Sequence, residues 1–233
     1  METNKSLARA ARAVALAVAG LVALSPALTQ TAEAETRTLR LADTLPAASS
    51  LSQNIAAWAA EIEARSDGRL KVEYYPGGQL AGAKDSLDAV LNGVVDIAYT
   101  APLREPSRMA LSGVPALPGL SGGAVALTEA YWELTQGTLK EQELEPLGLM
   151  PLFAVVTPQY EVMTVNKPVQ GMDDMAGLKI RSAGGVQEET VSALGAVPVS
   201  IAAPETYTAL QRGTADGALF SYYSVPIYKL DEV

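Results

Sequence analysis

A guanidinium at a strand end, followed by two glycines, is the arrangement in this chain with the most chemistry in it. Arg181 lies in Gly177-Leu-Lys-Ile-Arg-Ser-Ala-Gly-Gly185. Leu178 and Ile180 alternate with Lys179 and Arg181, the period of a half-buried strand. A helix is expected from about Val186, and Gly184 and Gly185 let the backbone come close to something at its start. Unbonded N–H groups at such a helix start favour an anion. Arg181 then sits at the carboxyl end of a strand, where open α/β sheets place their ligands. A guanidinium there can grip a carboxylate with two parallel hydrogen bonds. A surface or interdomain ion pair is the plainer role for the same residue.

Two zeros remove most other chemistry. Among 233 residues there is no Cys and no His. A thiol nucleophile, a disulfide, a zinc finger and a Ser-His-Asp triad are all excluded. Lys, Tyr and carboxylate chemistry survives, as do oxygen-built Mg²⁺ or Ca²⁺ sites. Paired catalytic carboxylates are not seen, so neither an enzyme nor a cofactor nor a resident metal is expected. Asp173-Asp174 reads as a solvated helix start, and Gly77-Gly78 as a turn, since no Lys-Ser/Thr follows to make a phosphate loop. The net charge is −9 with no basic run, which argues against nucleic acid and anionic membrane surfaces. An acidic receptor for an acidic ligand must concentrate positive charge locally, which raises the interest of one well-placed Arg.

The elements that would position Arg181 begin after a leader. Lys5, Arg9 and Arg12 precede the apolar run Ala13 to Leu24, and Ala32-Glu-Ala34 fits a small-x-small cleavage site. Residues 1–34 are read as a signal peptide, and the mature product as exported to the periplasm. Removing them takes away three basic and two acidic residues, which leaves a charge of −10. A strand is expected over Thr38–Asp43, then a helix capped by Ser49 or Ser50 and running to about Arg65. A strand over Arg69–Tyr75, a helix over Lys84–Asn92 closed by Gly93, and a buried strand over Val94–Thr100 follow. Residues Pro102 to Gly123 read as an irregular Pro/Gly-rich connection.

The last third repeats the first. Asp85-Ser-Leu-Asp-Ala-Val-Leu-Asn-Gly-Val-Val-Asp-Ile-Ala98 aligns without gaps on Glu205-Thr-Tyr-Thr-Ala-Leu-Gln-Arg-Gly-Thr-Ala-Asp-Gly-Ala218. Leu39-Arg-Leu-Ala42 likewise matches Leu178-Lys-Ile-Arg181. Two α/β lobes of similar topology are expected, 35–156 and 157–233, facing each other across a cleft. Asp43 and Thr44 end the first strand, and Tyr99 and Thr100 end a central one, so all four are candidates to face that cleft. Such proteins close on a small ligand by hinge motion.

Three segments carry a family resemblance. They are Tyr74-Tyr-Pro-Gly-Gly-Gln-Leu80, Asp173-Asp-Met-Ala-Gly-Leu-Lys-Ile-Arg181, and Gly195-Ala-Val-Pro-Val199 with Glu205-Thr-Tyr-Thr-Ala-Leu-Gln-x-Gly213-x-x-Asp-Gly217. Together they resemble the DctP-type solute-binding subunit of tripartite ATP-independent periplasmic (TRAP) transporters, from about Thr38 to Val233. The resemblance implies a type II periplasmic-binding-protein fold. It implies capture of a small organic acid and delivery to an ion-gradient-driven TRAP permease, with Arg181 on the carboxylate. An ABC-type binding protein of the same fold is the alternative. Members commonly carry a further Arg before the Asn166-Lys-Pro168 turn; here Tyr160 is available and the second guanidinium is missing. Phe220, Tyr222 and Tyr223 lie where a subgroup has aromatics that could line the cleft. A monocarboxylate with an apolar or aromatic body is therefore the expected ligand. The family continues beyond Val233 for several elements, so a truncated C-terminus is expected.

Overall fold

The computed structural model describes residues 35–120 and 122–233, so the expected signal peptide lies outside the described residues. Strand β1 (Arg37–Ala42) leads through a loop to helix α1 (Ser50–Arg65). Ser49 caps that helix, its hydroxyl accepting from the Ser52 N–H at 3.2 Å. Strand β2 (Leu70–Tyr75), helix α2 (Ser86–Leu91) and the short strand β3 (Ile97–Ala98) complete a parallel sheet of order β2-β1-β3. Leu41, Ile55, Ala59 and Val72 form its core against α1.

A turn-rich passage follows, with a 3₁₀ turn at Pro102–Arg104 and helix α3 at Gly123–Gln136. A π-helical turn covers Lys140–Leu144. The second sheet comprises β4 (Tyr160–Thr164), β5 (Lys179–Ser182), β6 (Val197–Ser200) and β7 (Gly217–Ser221), in the order β4-β7-β5-β6. Strand β5 is parallel to both its neighbours, and β4 is antiparallel to β7. Helices α4 (Val186–Ala193), α5 (Thr206–Gln211) and α6 (Ser224–Ile227) complete this half. Met175, Ile180, Val191 and Leu219 form one of its cores.

The internal repeat is structural down to single hydrogen bonds. In the first half Leu41 pairs with Ile97 and Ala42 with Ala98; in the second Ile180 pairs with Gly217 and Arg181 with Ala218. The Asp96 carboxylate accepts from the Arg40 N–H at 2.8 Å, and Asp216 does the same for Lys179 at 2.8 Å. Each aspartate thus satisfies a backbone donor of the neighbouring strand and fixes the register. Gly93 and Gly213 take the same left-handed turn, with φ of 67° and 68°. The expected strand over Val94–Thr100 pairs only at Ile97–Ala98. Val95 is buried instead as a helix-to-strand connector, its N–H bonded to the Ala89 carbonyl. Two α/β lobes are thereby borne out. No helix among the described residues is long and apolar enough to cross a membrane.

Candidate functional site

Arg181 stands on β5, hydrogen-bonded on both sides by β6 and β7, which fixes its backbone. Its side chain is 0% exposed. Its Nε donates to the Ile201 carbonyl at 2.9 Å, and its guanidinium carbon lies 4.3 Å from the centre of the Phe220 ring. The two remaining nitrogens, Nη1 and Nη2, are buried and have no hydrogen-bond partner among the described residues. Burial pushes the Arg181 pKa down to about 10, and the nearby Arg104 charge adds to that shift.

Arg104 enters from the other lobe. It closes the 3₁₀ turn that Pro102 begins, shortly after β3. It is half-buried, its Nε is buried without a partner among the described residues, and burial lowers its pKa. Gly185 explains how this turn comes so near the start of α4. A side chain at Gly185 would collide with the Leu103 carbonyl, and the φ of +55° also suits glycine. The segment before Asn166 carries no arginine, as expected; Arg104 is a second guanidinium with a buried unpaired nitrogen, on a different segment. Sequence reasoning missed it because Pro102 to Gly123 shows no periodicity; its place just after Tyr99-Thr100, already assigned to a strand end, was the available signal.

Aromatic rings lie around Arg181. Phe220, on β7, lies 6.0 Å from the Tyr160 ring and stacks on Tyr228 at 5.6 Å and 17°. Burial raises the Tyr228 phenol to about 12 and raises Tyr99 as well, so both stay neutral hydrogen-bonding groups. Tyr99 stacks on Phe153 with centroids 6.2 Å apart. Tyr228 is the second member that sequence reasoning missed; it follows α6, and the stretch after β7 gave no periodic signal.

The other predicted residues are placed differently. Tyr222 is 67% exposed and lies outside the cluster, because the chain turns after Ser221 and carries it away. Asp43 is at the strand end as expected, but its carboxylate accepts from the Leu45 N–H at 2.6 Å, the Ser52 hydroxyl at 3.2 Å and the Tyr74 hydroxyl. Those bonds make it a knot joining β1, α1 and β2. Thr44 and Thr100 are half-buried beside the strand ends. Tyr223 reaches across to the first lobe, its hydroxyl 2.7 Å from the Ser50 hydroxyl.

Surface hollows lie elsewhere. One of about 370 Å³ is lined by Gly78–Gly82 and α2 residues, and one of about 120 Å³ by Ser50, Val155–Pro158 and Tyr223. Neither is lined by Arg104 or Arg181. Arg181 is wholly enclosed and Arg104 half-buried.

Residues 41–233 match the family model of bacterial extracellular solute-binding proteins, family 7 (DctP). The chain belongs to this family. The resemblance read from the three motifs is thereby confirmed. A curated family member, the C4-dicarboxylate-binding periplasmic protein DctP of Rhodobacter capsulatus, is 31% identical over 93% of this chain and 65% of its own. A TRAP periplasmic solute-binding protein of Bordetella bronchiseptica, solved with bound (R)- and (S)-mandelate, is 30% identical with a TM-score of 0.75. The match covers 84% of this chain and 62% of that one. A TRAP solute-binding protein of Rhodoferax ferrireducens, solved with copurified benzoate, is 31% identical with a TM-score of 0.75, over 84% and 61% of the two chains. The chain spans less than two thirds of the length of these relatives. The family is one of binding proteins in transport, not of enzymes.

Proposed function

We propose that this chain forms the acid-binding part of a periplasmic receptor that holds a small organic acid on Arg181 and delivers it to an ion-gradient-driven TRAP permease. One observation carries the reading: Arg181 is fully buried, with two donor nitrogens left unpaired. An uncompensated buried charge costs several kcal/mol, so an anion that meets it is strongly favoured. The free Nη1 and Nη2 edge matches the two oxygens of one carboxylate. Phe220 lies under the guanidinium and holds it flat, while Tyr160, Tyr228 and Tyr99 offer apolar faces to the body of the acid. The lobes touch through Gly185 with Leu103 and through Ser50 with Tyr223, so an acid enters when they part and is enclosed when they meet. Carboxylates bound by similar proteins support the ligand class.

Calorimetric titration of the chain with mono- and dicarboxylates tests this. One acid is expected to bind tightly, and Arg181→Ala to weaken it at least about 100-fold, as truncation of one partner in a buried charge pair does. Equal binding by the variant removes Arg181 from the site.

A further inference from the structure

We propose that Arg104 is a specificity determinant, selecting acids that carry a hydroxyl or oxo oxygen on the carbon next to the carboxylate. The inference rests on the Arg181–carboxylate reading and adds a third contact to it. Arg181 has spent its Nε on Ile201, so its Nη1 and Nη2 edge accounts for the two oxygens of one carboxylate. Arg104 Nε is a further buried donor without a partner among the described residues, and it comes from the opposite lobe. A side chain on Gly185, at the end of the loop that follows Arg181, would lie 3.5 Å from the Arg104 Cα, so Arg104 is carried by the segment facing that loop. Unless the ligand brings a further acceptor, closure leaves the Arg104 donor unmet, and a buried unmet donor is costly.

The unequal burial of the two arginines decides the nature of that acceptor. Arg181 is wholly enclosed and demands a full counter-charge. Arg104 is half-buried, so its charge is less stripped of water than that of Arg181, and its one buried N–H without a partner is met by a single acceptor. A neutral oxygen meets that need. A second carboxylate would have to be stripped of water beside the Phe220, Tyr160 and Tyr228 rings. Gly185 serves this contact, because only a bare backbone there lets the Leu103–Arg104 turn approach the start of α4, three residues past the end of β5.

Three acids of one skeleton test the assignment by calorimetry on the whole chain: phenylacetate, its 2-oxo relative phenylglyoxylate, and the dianion phenylmalonate. Phenylglyoxylate is expected to bind about tenfold or more tighter than phenylacetate, the value of one hydrogen bond from a charged donor. Arg104→Met should erase that preference, weakening phenylglyoxylate about tenfold more than it weakens phenylacetate. Arg181→Ala should abolish both. Equal affinities for phenylacetate and phenylglyoxylate overturn the proposal and leave the carboxylate reading intact. So does a preference for phenylmalonate, or an Arg104→Met loss that is the same for every acid. Failure of the unmodified chain to bind any acid removes both readings. Should Arg104→Met fail to fold, the comparison of acids on the unmodified chain still decides.

Discussion

The two lobes share a register, a helix-closing glycine and an aspartate that bonds the neighbouring strand, yet they end their equivalent strands in opposite ways. In the first lobe the position matching Arg181 is Ala42, followed by Asp43. Asp43 is buried with its acceptors occupied by Leu45, Ser52 and Tyr74. Arg181 is buried with two donors unoccupied. One lobe has used its charged strand end to hold itself together; the other keeps its charge in reserve. On the proposed carboxylate role, the difference separates a charge that stabilises the fold from one that the fold tolerates for binding, although both are buried to the same degree.

The sharpest way to break this comparison is by stability. Asp43→Ala leaves three donors without their acceptor, and a loss of about 2–4 kcal/mol is expected in chemical denaturation. Arg181→Ala removes an uncompensated buried charge, a gain, and leaves a cavity, an opposing cost, so the acid-free chain should lose less stability than Asp43→Ala does. The reverse order of the two effects would make Arg181 a structural residue.

Gly185→Ala tests how the lobes approach. Its Cβ meets the Leu103 carbonyl and its φ is left-handed, so a penalty of about 1–3 kcal/mol is expected. That penalty should appear as weaker acid binding and a larger radius of gyration in small-angle scattering. Gly195→Ala, also at positive φ but with open space around it, should change stability and leave the radius alone.

Tyr223→Phe, which removes a hydroxyl bonded to Ser50 across the lobes, is expected to cost about 0.5–1 kcal/mol of acid affinity by calorimetry. Ser50→Ala added to it should cost little more, because both remove the same bond.

The smallest effect is that of pH. The Arg181 pKa is lowered to about 10, so the side chain is charged throughout neutral pH. Affinity should be flat from about pH 6 to 8 and halve near pH 10. Stability of the acid-free chain has the other sign. The unfolded chain holds that proton more tightly, so this group's contribution rises as pH climbs from about 10 toward the ordinary arginine value. Affinity and denaturation measured over one pH series read both trends.

Much of this was legible in the order of residues. The gapless match of residues 85–98 to 205–218 anticipated two lobes, because a helix, a closing glycine and an aspartate at fixed spacing leave a pattern in the chain. Arg181 was legible for the same reason, being on a periodic strand before two glycines. Arg104 was not, since the turn that carries it has no period and its nearness to the start of α4 depends on a glycine 81 residues away. Nor could spacing say that Tyr222 turns outward while Tyr223 and Tyr228 turn in. The knot at Asp43 was hidden too, because Ser52 and Tyr74 reach it from other elements.

The Ser50–Tyr223 bond has a kinetic consequence. It joins residues 173 apart in the chain, across both sheets. Closing so long a loop returns very little until the two halves are already built, so the bond is expected to form late in folding and to break early in unfolding. The chain therefore has a weak seam at its edge. Removing the Tyr223 hydroxyl should speed unfolding and leave the folding rate nearly unchanged.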